Sequence, residues 1–447
     1  MRVIIVGAGE VGRVSAETIS KVHDVLVIDK DEAVFNTLKS RLNVSTLKGD
    51  STNPKILRYA MENHKPQMII ATLKDDASNL FICLMAKRID PNIITVSSIT
   101  DPDFRIETAS EGVPGVDTII SPELITAQKM FKLCVLENAI DYESVSELDV
   151  DVAIFGVDAD HDIVGKVCML LDIPEGCTVF AIYRDGILHT DTESMEIHPG
   201  DHICVFGKES AIREFNKMMG LEFPARAFVI LGGSIVGRNV AKMLVADHRS
   251  VKIIDRDEQL CRDMSRNIPG LSVICADFTD PEIQSNENVF WADSLVATSH
   301  NDETNLLMSM TAQRHNTRKV ITRYFTKEYE DIFEYTGIET IIGYYKIVSN
   351  EITKCTAPDE SIITKTRSQS ELFFIHKVDG DSLLKNVYVG DLQLPEGSKI
   401  VAIKHKGELM YPRLDTRISA SDEVVFFSTV ENMPDLSKIA GKDVPEV

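Results

Sequence analysis

The sequence predicts an α/β protein built from two doubly wound parallel-sheet domains, each followed by a small α+β domain. Three observations carry the prediction. The chain opens on an apolar run, Met1 to Val6, that meets a glycine-rich turn, Gly7-Ala8-Gly9-Glu10-Val11-Gly12. An amphipathic stretch follows, with Val11, Val14, Ile19 and Val22 near helical spacing. Apolar runs and helix-compatible stretches then alternate as far as Val135, as βαβ units require. Finally, the pattern restarts at Ala227, with Gly232 and Gly237 each 225 residues after Gly7 and Gly12.

Taken in order, Gly7 permits the tight turn, Gly9 lets the backbone approach a pyrophosphate, and Gly12 lets the helix pack closely on the strand. The second apolar run, Val25 to Ile28, ends in Asp29, seventeen residues past Gly12, where a dinucleotide-binding (Rossmann-like) fingerprint places its ribose-binding acid. A polar helix over Glu32 to Asn43 leads to a third strand ending in Gly49-Asp50-Ser51-Thr52. Met68 to Thr72 is the fourth strand, and the helix after it starts near Lys74 to Asn79, capped by Asp75 or Ser78. Ile93 to Ser97 and Val116 to Ile120 complete six strands, and Ser121-Pro122-Glu123 reads as a cap followed by proline at the first helical position.

From about Glu137 the texture changes to short alternating runs: Asp151 to Gly156, Thr178 to Ile182 and His202 to Phe206, with Asp185-Gly186 as a hairpin signal. Gly220 to Ala225, with Pro224, reads as a linker. The expected domains are 1–137, 138–221, 225–352 and 353–441. The repeat holds with single-residue slips: Asp255 answers Asp29, Asp277 answers Asp50, Thr298 answers Thr72, and Asp302 and Asn305 answer Asp76 and Asn79. The small domains repeat as well, Leu394-Pro395-Glu396-Gly397 answering Ile173-Pro174-Glu175-Gly176.

A formal charge of −22 and a pI near 4.9 argue against nucleic acid or an anionic membrane as the main partner. Eight cysteines contain no C-x-x-C pair and mostly sit in apolar segments, as reduced core residues do. Met1 runs directly into a strand, which reads as the absence of a signal peptide, and no run of about 18 apolar residues suggests a membrane span. A cytoplasmic protein is expected.

With this doubled order, Gly49-Asp50-Ser51-Thr52 and the Ala71-Thr72…Asp75-Asp76…Asn79 segment, the chain resembles the regulator-of-potassium-conductance (RCK) family, in the tandem TrkA-N plus TrkA-C arrangement of Trk-type potassium-uptake regulatory subunits. The resemblance covers essentially the whole chain. It implies a non-enzymatic regulatory subunit whose sheet domains bind NAD(H) or adenine nucleotides. It also implies a homotetrameric ring at the inner face of the cell membrane, beneath a potassium channel subunit of the Trk type that it gates.

Carried onto matching positions, the first site comprises Gly7, Ala8, Gly9, Glu10, Val11 and Gly12 at the phosphates, Asp29 and Lys30 at the ribose, and Asp50 and Ser51 near the adenine. Thr72, Leu73 and Ser98 border the same crevice. The second comprises Gly232, Gly233, Ser234, Ile235, Val236 and Gly237, with Asp255, Asp277, Thr298 and Arg323. Glu10 repels a triphosphate more than a diphosphate bridge, which tilts the first site to NAD(H). Ser234 puts a side chain where a pyrophosphate needs close approach, and Arg323, standing where the first half has Ser98, suits a terminal phosphate, so ATP or ADP is the ligand considered especially for the second site. The small-domain elements Arg184-Asp185-Gly186 and Pro199-Gly200-Asp201 match the family pattern, whereas the second copy has Ala420-Ser421-Asp422.

Sharper readings of other motifs weigh less. Asp158-Ala159-Asp160-His161-Asp162 mimics an EF-hand start but has Ile163 at the required glycine and Met169 at the required glutamate, so a solvated acidic turn is expected and no metal site. His198 and His202 are separated by Pro199-Gly200, which breaks helical metal-ligand spacing. Asp141, Glu143, Glu147, Asp149 and Asp151 read as the wet face of a linker. Neither His64 nor His300 makes a persuasive acid–base partner, so no catalytic residue is expected. An NAD-dependent dehydrogenase and a ligand-free oligomerisation scaffold stand as the alternatives.

Overall fold

The computed structural model describes all residues except 102–112, 146–147, 221–224, 357–361, 366–369, 381 and 441–447. Most of the linker expected at Gly220 to Ala225, Pro224 included, lies outside the described residues, as does Glu147 of the acidic run. The chain divides into two compact units. One comprises Met1–Ala127, Phe325–Lys327 and Gly343–Thr356, and the other Gln128–Tyr324, Glu328–Ile342 and Ala357–Val447.

In the first unit, strands β1 (Arg2–Val6), β2 (Asp24–Asp29), β3 (Ser45–Lys48), β4 (Met68–Ala71), β5 (Ile94–Ser98) and β6 (Thr118–Ile120) form one sheet in the order β3-β2-β1-β4-β5-β6. All five pairings are parallel. Side chains alternate across it as the two-residue period demands. Val3, Ile5, Val25, Val27, Met68 and Ile70 enter one core, and Ile4, Val6, Leu26, Ile28, Ile69 and Ala71 the other. Burial on both faces explains the continuous apolar runs in the sequence. The order reverses between β1 and β4, which opens a crevice at the carboxyl ends of the strands.

The first core is completed by a helix from the far half of the chain. Helix Tyr344–Thr356 places Tyr344, Val348 and Ile352, four apart, against Val14 and Ile19 of helix Glu10–Ile19. Burying each such side chain contributes about 1.5–3 kcal/mol. Thr18 Oγ1 donates to Ser349 Oγ at 3.1 Å, and Tyr344 Oη to Glu123 at 2.6 Å. Residues 344–352, expected within the second sheet domain, therefore pack on the first: contiguity in sequence does not decide which core an amphipathic helix joins.

In the second unit, strands β7 (Ala139–Val145), β8 (Val150–Gly156), β9 (Cys177–Arg184), β10 (Ile187–His189) and β11 (His202–Gly207) form an antiparallel sheet ordered β10-β9-β11-β8-β7. A second parallel sheet runs β14-β13-β12-β15-β16-β17, from β12 (Ala227–Leu231), β13 (Ser250–Asp255), β14 (Ser272–Cys275), β15 (Ser294–Ala297), β16 (Lys319–Tyr324) and β17 (Thr340–Gly343). It repeats the order of the first. The last sheet, β18 (Ile362–Lys365), β19 (Glu371–Lys377), β20 (Lys399–His405), β21 (Glu408–Met410) and β22 (Glu423–Thr429), repeats the order of the small antiparallel sheet. The two antiparallel sheets share one aromatic core in which Phe180 meets Phe373 at 5.3 Å and Phe427 at 4.8 Å between ring centroids.

Two local expectations are corrected. The acidic run after Glu137 is not a linker's wet face: Asp141 and Glu143 lie in β7 and bracket the ammonium of Lys129 at 2.7 and 2.5 Å, with Asp141 and Asp151 buried. Period-2 alternation was hidden there because the buried charges are paired. Ser121 does not cap the helix Pro122–Val135, since its buried Oγ has no hydrogen-bond partner. Asp75, by contrast, caps the helix Asp76–Ile89 through Ser78 N.

Candidate functional site

Each parallel sheet carries the same loop machinery. In the first, Gly7 follows β1 with φ +93°, and a Cβ there would meet Thr72 O at 2.9 Å. A Cβ on Gly12 would stand 1.9 Å from Gly7 O, so the helix rests directly on the turn. Thr72 Oγ1 donates to the carbonyls of Val6 and Gly7 at 2.9 and 3.2 Å. Thr298 does the same to Leu231 and Gly232 at 3.1 and 2.8 Å. These buried threonines hold the turn, and their hydroxyls are spent on carbonyls rather than offered to a ligand.

The acids expected at the ribose grip the same turns. Asp29 accepts from Ala8 N at 2.6 Å and Asp31 N at 2.8 Å. Asp255 accepts from Gly233 N at 2.6 Å and Asp257 N at 2.8 Å. Each carboxylate oxygen has lone-pair capacity left for ribose hydroxyls. Asp50 accepts from the N–H and hydroxyl of Thr52, and Lys30 lies 3.1 Å from it. The Thr52 hydroxyl, followed by Lys30, keeps its carboxyl below the usual range. Asp277 forms the same turn with Thr279, which lowers its carboxyl likewise. Ser51 is buried beside Asp50.

Sequence reasoning singled out Asn79 and Asn305 as repeat positions without giving them a task. Asn79 Oδ1 accepts from Leu73 N at 2.7 Å, and its Nδ2 donates to the carbonyls of Leu73 and Ser98. Asn305 joins Ser299 to the carbonyl of Arg323 in the same way. Each fully buried asparagine thus buckles the ends of two neighbouring strands into the floor of its crevice, and Asp76 adds bonds from Thr100 N and Asp101 N. A polar residue recurring at one register position on an otherwise apolar helix face was the available signal.

The two turns differ at three positions, Ala8 against Gly233, Gly9 against Ser234 and Glu10 against Ile235, and the second of these sets the approach. A Cβ on Gly9 would meet nothing within 4 Å, and helix Glu10–Ile19 has no side-chain cap, so its leading N–H groups face an open approach. Gly9, exposed, is thus not required by packing, whereas Gly7 and Gly12 are. Glu10 and Val11 open that helix, Glu10 exposed and Val11 packed against the first core. In the second crevice, Ser234 caps its own helix by accepting from Gly237 N at 3.2 Å and donates to Thr298 O at 2.9 Å. Its side chain folds inward instead of standing in the approach, and Ile235 and Val236 begin the capped helix. Arg323, only 1% exposed, donates to Ser234 Oγ at 3.1 Å and Thr298 O at 2.6 Å. The expectation of a guanidinium presented to a terminal phosphate is therefore not matched; it is built into the wall. Burial, followed by the Arg323 charge and opposed by Asp255, holds His300 below its ordinary value.

Elsewhere, Arg184 Nε and Nη2 form a two-pronged pair with Asp201 at 2.7 and 2.6 Å. Burial disfavours the Asp201 carboxylate, but hydrogen bonds from Arg184 and His198 N overcome this and leave it below the usual range. In the second copy His405 Nδ1 lies 2.7 Å from Asp422 at the matching positions. Asp158, Asp160 and His161 do gather within metal-ligand distance of one another. His161 Nδ1 accepts the N–H of Asp158 at 3.1 Å, so that nitrogen is engaged by the acidic turn itself. Among the described residues no helix is long and apolar enough to cross a membrane.

The comparisons with known proteins agree with this layout. The TrkA-N domain model matches residues 3–122 and 228–343, and the TrkA-C domain model residues 152–220 and 374–441. A Trk system potassium uptake protein TrkA homolog of Methanosarcina mazei is 27% identical, the alignment covering 98% of this chain and all of that one. The Trk system potassium uptake protein TrkA of Vibrio alginolyticus is 26% identical over 96% and 95% of the two chains. The solved GsuK RCK domain shares the fold with a TM-score of 0.66 at 15% identity, covering 98% of this chain and 94% of that one. A structure titled as the GsuK channel bound to NAD gives 0.65 at 15% identity, over 98% and 78%. With its sheet domains and small domains both matched twice in alternation, the chain belongs to the TrkA family of tandem TrkA-N and TrkA-C domains.

Proposed function

We propose that the chain is a nucleotide-sensing regulatory subunit of a Trk-type potassium-uptake system, with NAD(H) as the ligand of its first crevice. One observation carries the ligand assignment: Gly9 leaves an open approach to an uncapped helix N-terminus, with Asp29 beside it. A pyrophosphate suits those N–H groups, and the remaining lone pairs of Asp29 suit ribose hydroxyls. The residues therefore fit a dinucleotide. The nicotinamide would report redox state there; the residues of the chain bind and orient it.

The partner assignment rests on the family, whose relatives over nearly full length are named as Trk potassium uptake proteins. Four chains would supply eight sheet domains to a ring on the cytoplasmic side of a potassium channel subunit. Ligand moves the gate only through its different affinities for two ring shapes, typically a coupling of about 1–3 kcal/mol. In the second crevice the helix N-terminus is capped by Ser234 and Arg323 is built into the wall, so neither residue supplies the phosphate contacts on which ATP or ADP was expected there.

Calorimetric titration with NADH, NAD, ATP and ADP, while NADH absorbance is followed, tests the reading. Saturable NADH binding without turnover supports the regulator. Binding of none supports the scaffold alternative, and consumption of NADH with added carbonyl substrates supports a dehydrogenase.

A further inference from the structure

Two thiols meet at the rim of the second crevice. Cys275 ends β14, pairs in register with Asp255 at the end of β13, and is exposed. Cys261 is buried on helix Glu258–Asn267. Its Sγ lies 3.2 Å from the carbonyl oxygen of Asp255 and 4.0 Å from that of Ile274, the residue bonded to Cys275. The Cys261 sulfur thus sits across the ends of both strands, beside Cys275. Burial foremost, then hydrogen bonding with the Cys275 sulfur and the nearby charges of Asp255 and Asp257, push the Cys261 thiol up to about 12. One thiol of the pair is therefore open to solvent, and the other is held protonated behind it.

We propose that Cys261 and Cys275 form a reversible dithiol–disulfide pair whose reaction partner is a low-molecular-weight disulfide. The Cys275 thiolate attacks one sulfur of the small disulfide, forming a mixed disulfide and releasing one small thiolate. Cys261 then gives its proton to solvent base, and its sulfur attacks Cys275 and displaces the second small thiolate. Two protein thiols are oxidised and one small disulfide is reduced to two thiols. Closure takes the S–H from the Asp255 carbonyl and ties the helix to the strand ends. Asp255 also holds Gly233 N of the phosphate turn at 2.6 Å, so the redox state of the pair reaches that turn through one residue.

The full chain is incubated with oxidised glutathione, blocked with iodoacetamide, digested without reductant and mapped by mass spectrometry beside a count of free thiols. The expected result is a linked peptide pair containing Cys261 and Cys275, a loss of two free thiols per chain, and reversal by dithiothreitol. In the Cys261→Ser variant, a stable glutathione adduct on Cys275 replaces the bridge. A persistent adduct on Cys275 in the unaltered chain, no reaction at either residue, or equal bridging among other cysteines would overturn the proposal. None of these readouts involves a nucleotide, so this proposal and the nucleotide reading fail separately.

Discussion

Arg323 donates to the hydroxyl of Ser234 at 3.1 Å, joining the wall of the second crevice to its phosphate turn, where the first crevice has the small Ser98 and the bare Gly9. The duplication has kept the frame and altered the approach. Replacing Arg323 with Met removes this buried donor from Ser234 and the Thr298 carbonyl, which keep their bond to each other, so the loss is about 1–3 kcal/mol in all, that of hydrogen bonds made by a charged group. Urea denaturation should show that loss for Arg323→Met and under about 1 kcal/mol for Ser98→Ala. Equal effects would mean that Arg323 is not a wall residue.

Gly9 and Gly12 look alike in the motif and differ in the fold. A Cβ on Gly12 would meet Gly7 O at 1.9 Å, whereas one on Gly9 meets nothing. Gly12→Ala should lower stability by at least about 1–3 kcal/mol, and Gly9→Ala by less than about 1 kcal/mol. The comparison of thermal midpoints checks it, and a fully stable Gly12→Ala protein would contradict the packing described.

Asp29 holds the turn and, in the proposed site, also the ribose. Asp29→Ala removes the bonds to Ala8 N and Asp31 N and the ribose acceptor at once. The expected result is a folded chain, less stable by about 1–3 kcal/mol, with NADH affinity at least tenfold weaker. Unchanged affinity would remove Asp29 from the site.

Lys319 gives a pH signature. Its Nζ donates to the carbonyls of Leu136, Glu137 and Ala139 at 2.7–3.0 Å, and burial lowers its pKa to about 8. Between about pH 8 and 10.4 the unfolded chain holds more protons on this residue than the folded one, so stability contributed by Lys319 rises with pH across that window. Relative to Lys319→Met, the unaltered chain should gain about 2 kcal/mol from pH 8 to 10.4, and a flat difference would contradict the burial.

The parallel sheets were legible because strands buried on both faces write continuous apolar runs and because Gly7, Gly9, Gly12 and Asp29 keep fingerprint spacing. The duplication was legible from register. Strand β7 was not, since buried Asp141 and half-buried Glu143 are charges paired with Lys129, and their partner is not visible in local pattern. Nor was the packing of helix Tyr344–Thr356 on the first sheet: its apolar stripe says that it is buried, but not in which core. The inward turn of Ser234 and the burial of Arg323 depend on each other, and neither residue type discloses that alone.

In the proposed function NADH enters the first crevice over Gly9. Calorimetric titration of the unaltered chain and of Gly9→Val with NADH tests it most directly, with thermal unfolding as the control for folding. The expected result is saturable binding to the unaltered chain and at least a tenfold loss of affinity in Gly9→Val with the thermal midpoint little changed. Undiminished NADH affinity in a folded Gly9→Val protein would place the ligand elsewhere and contradict it.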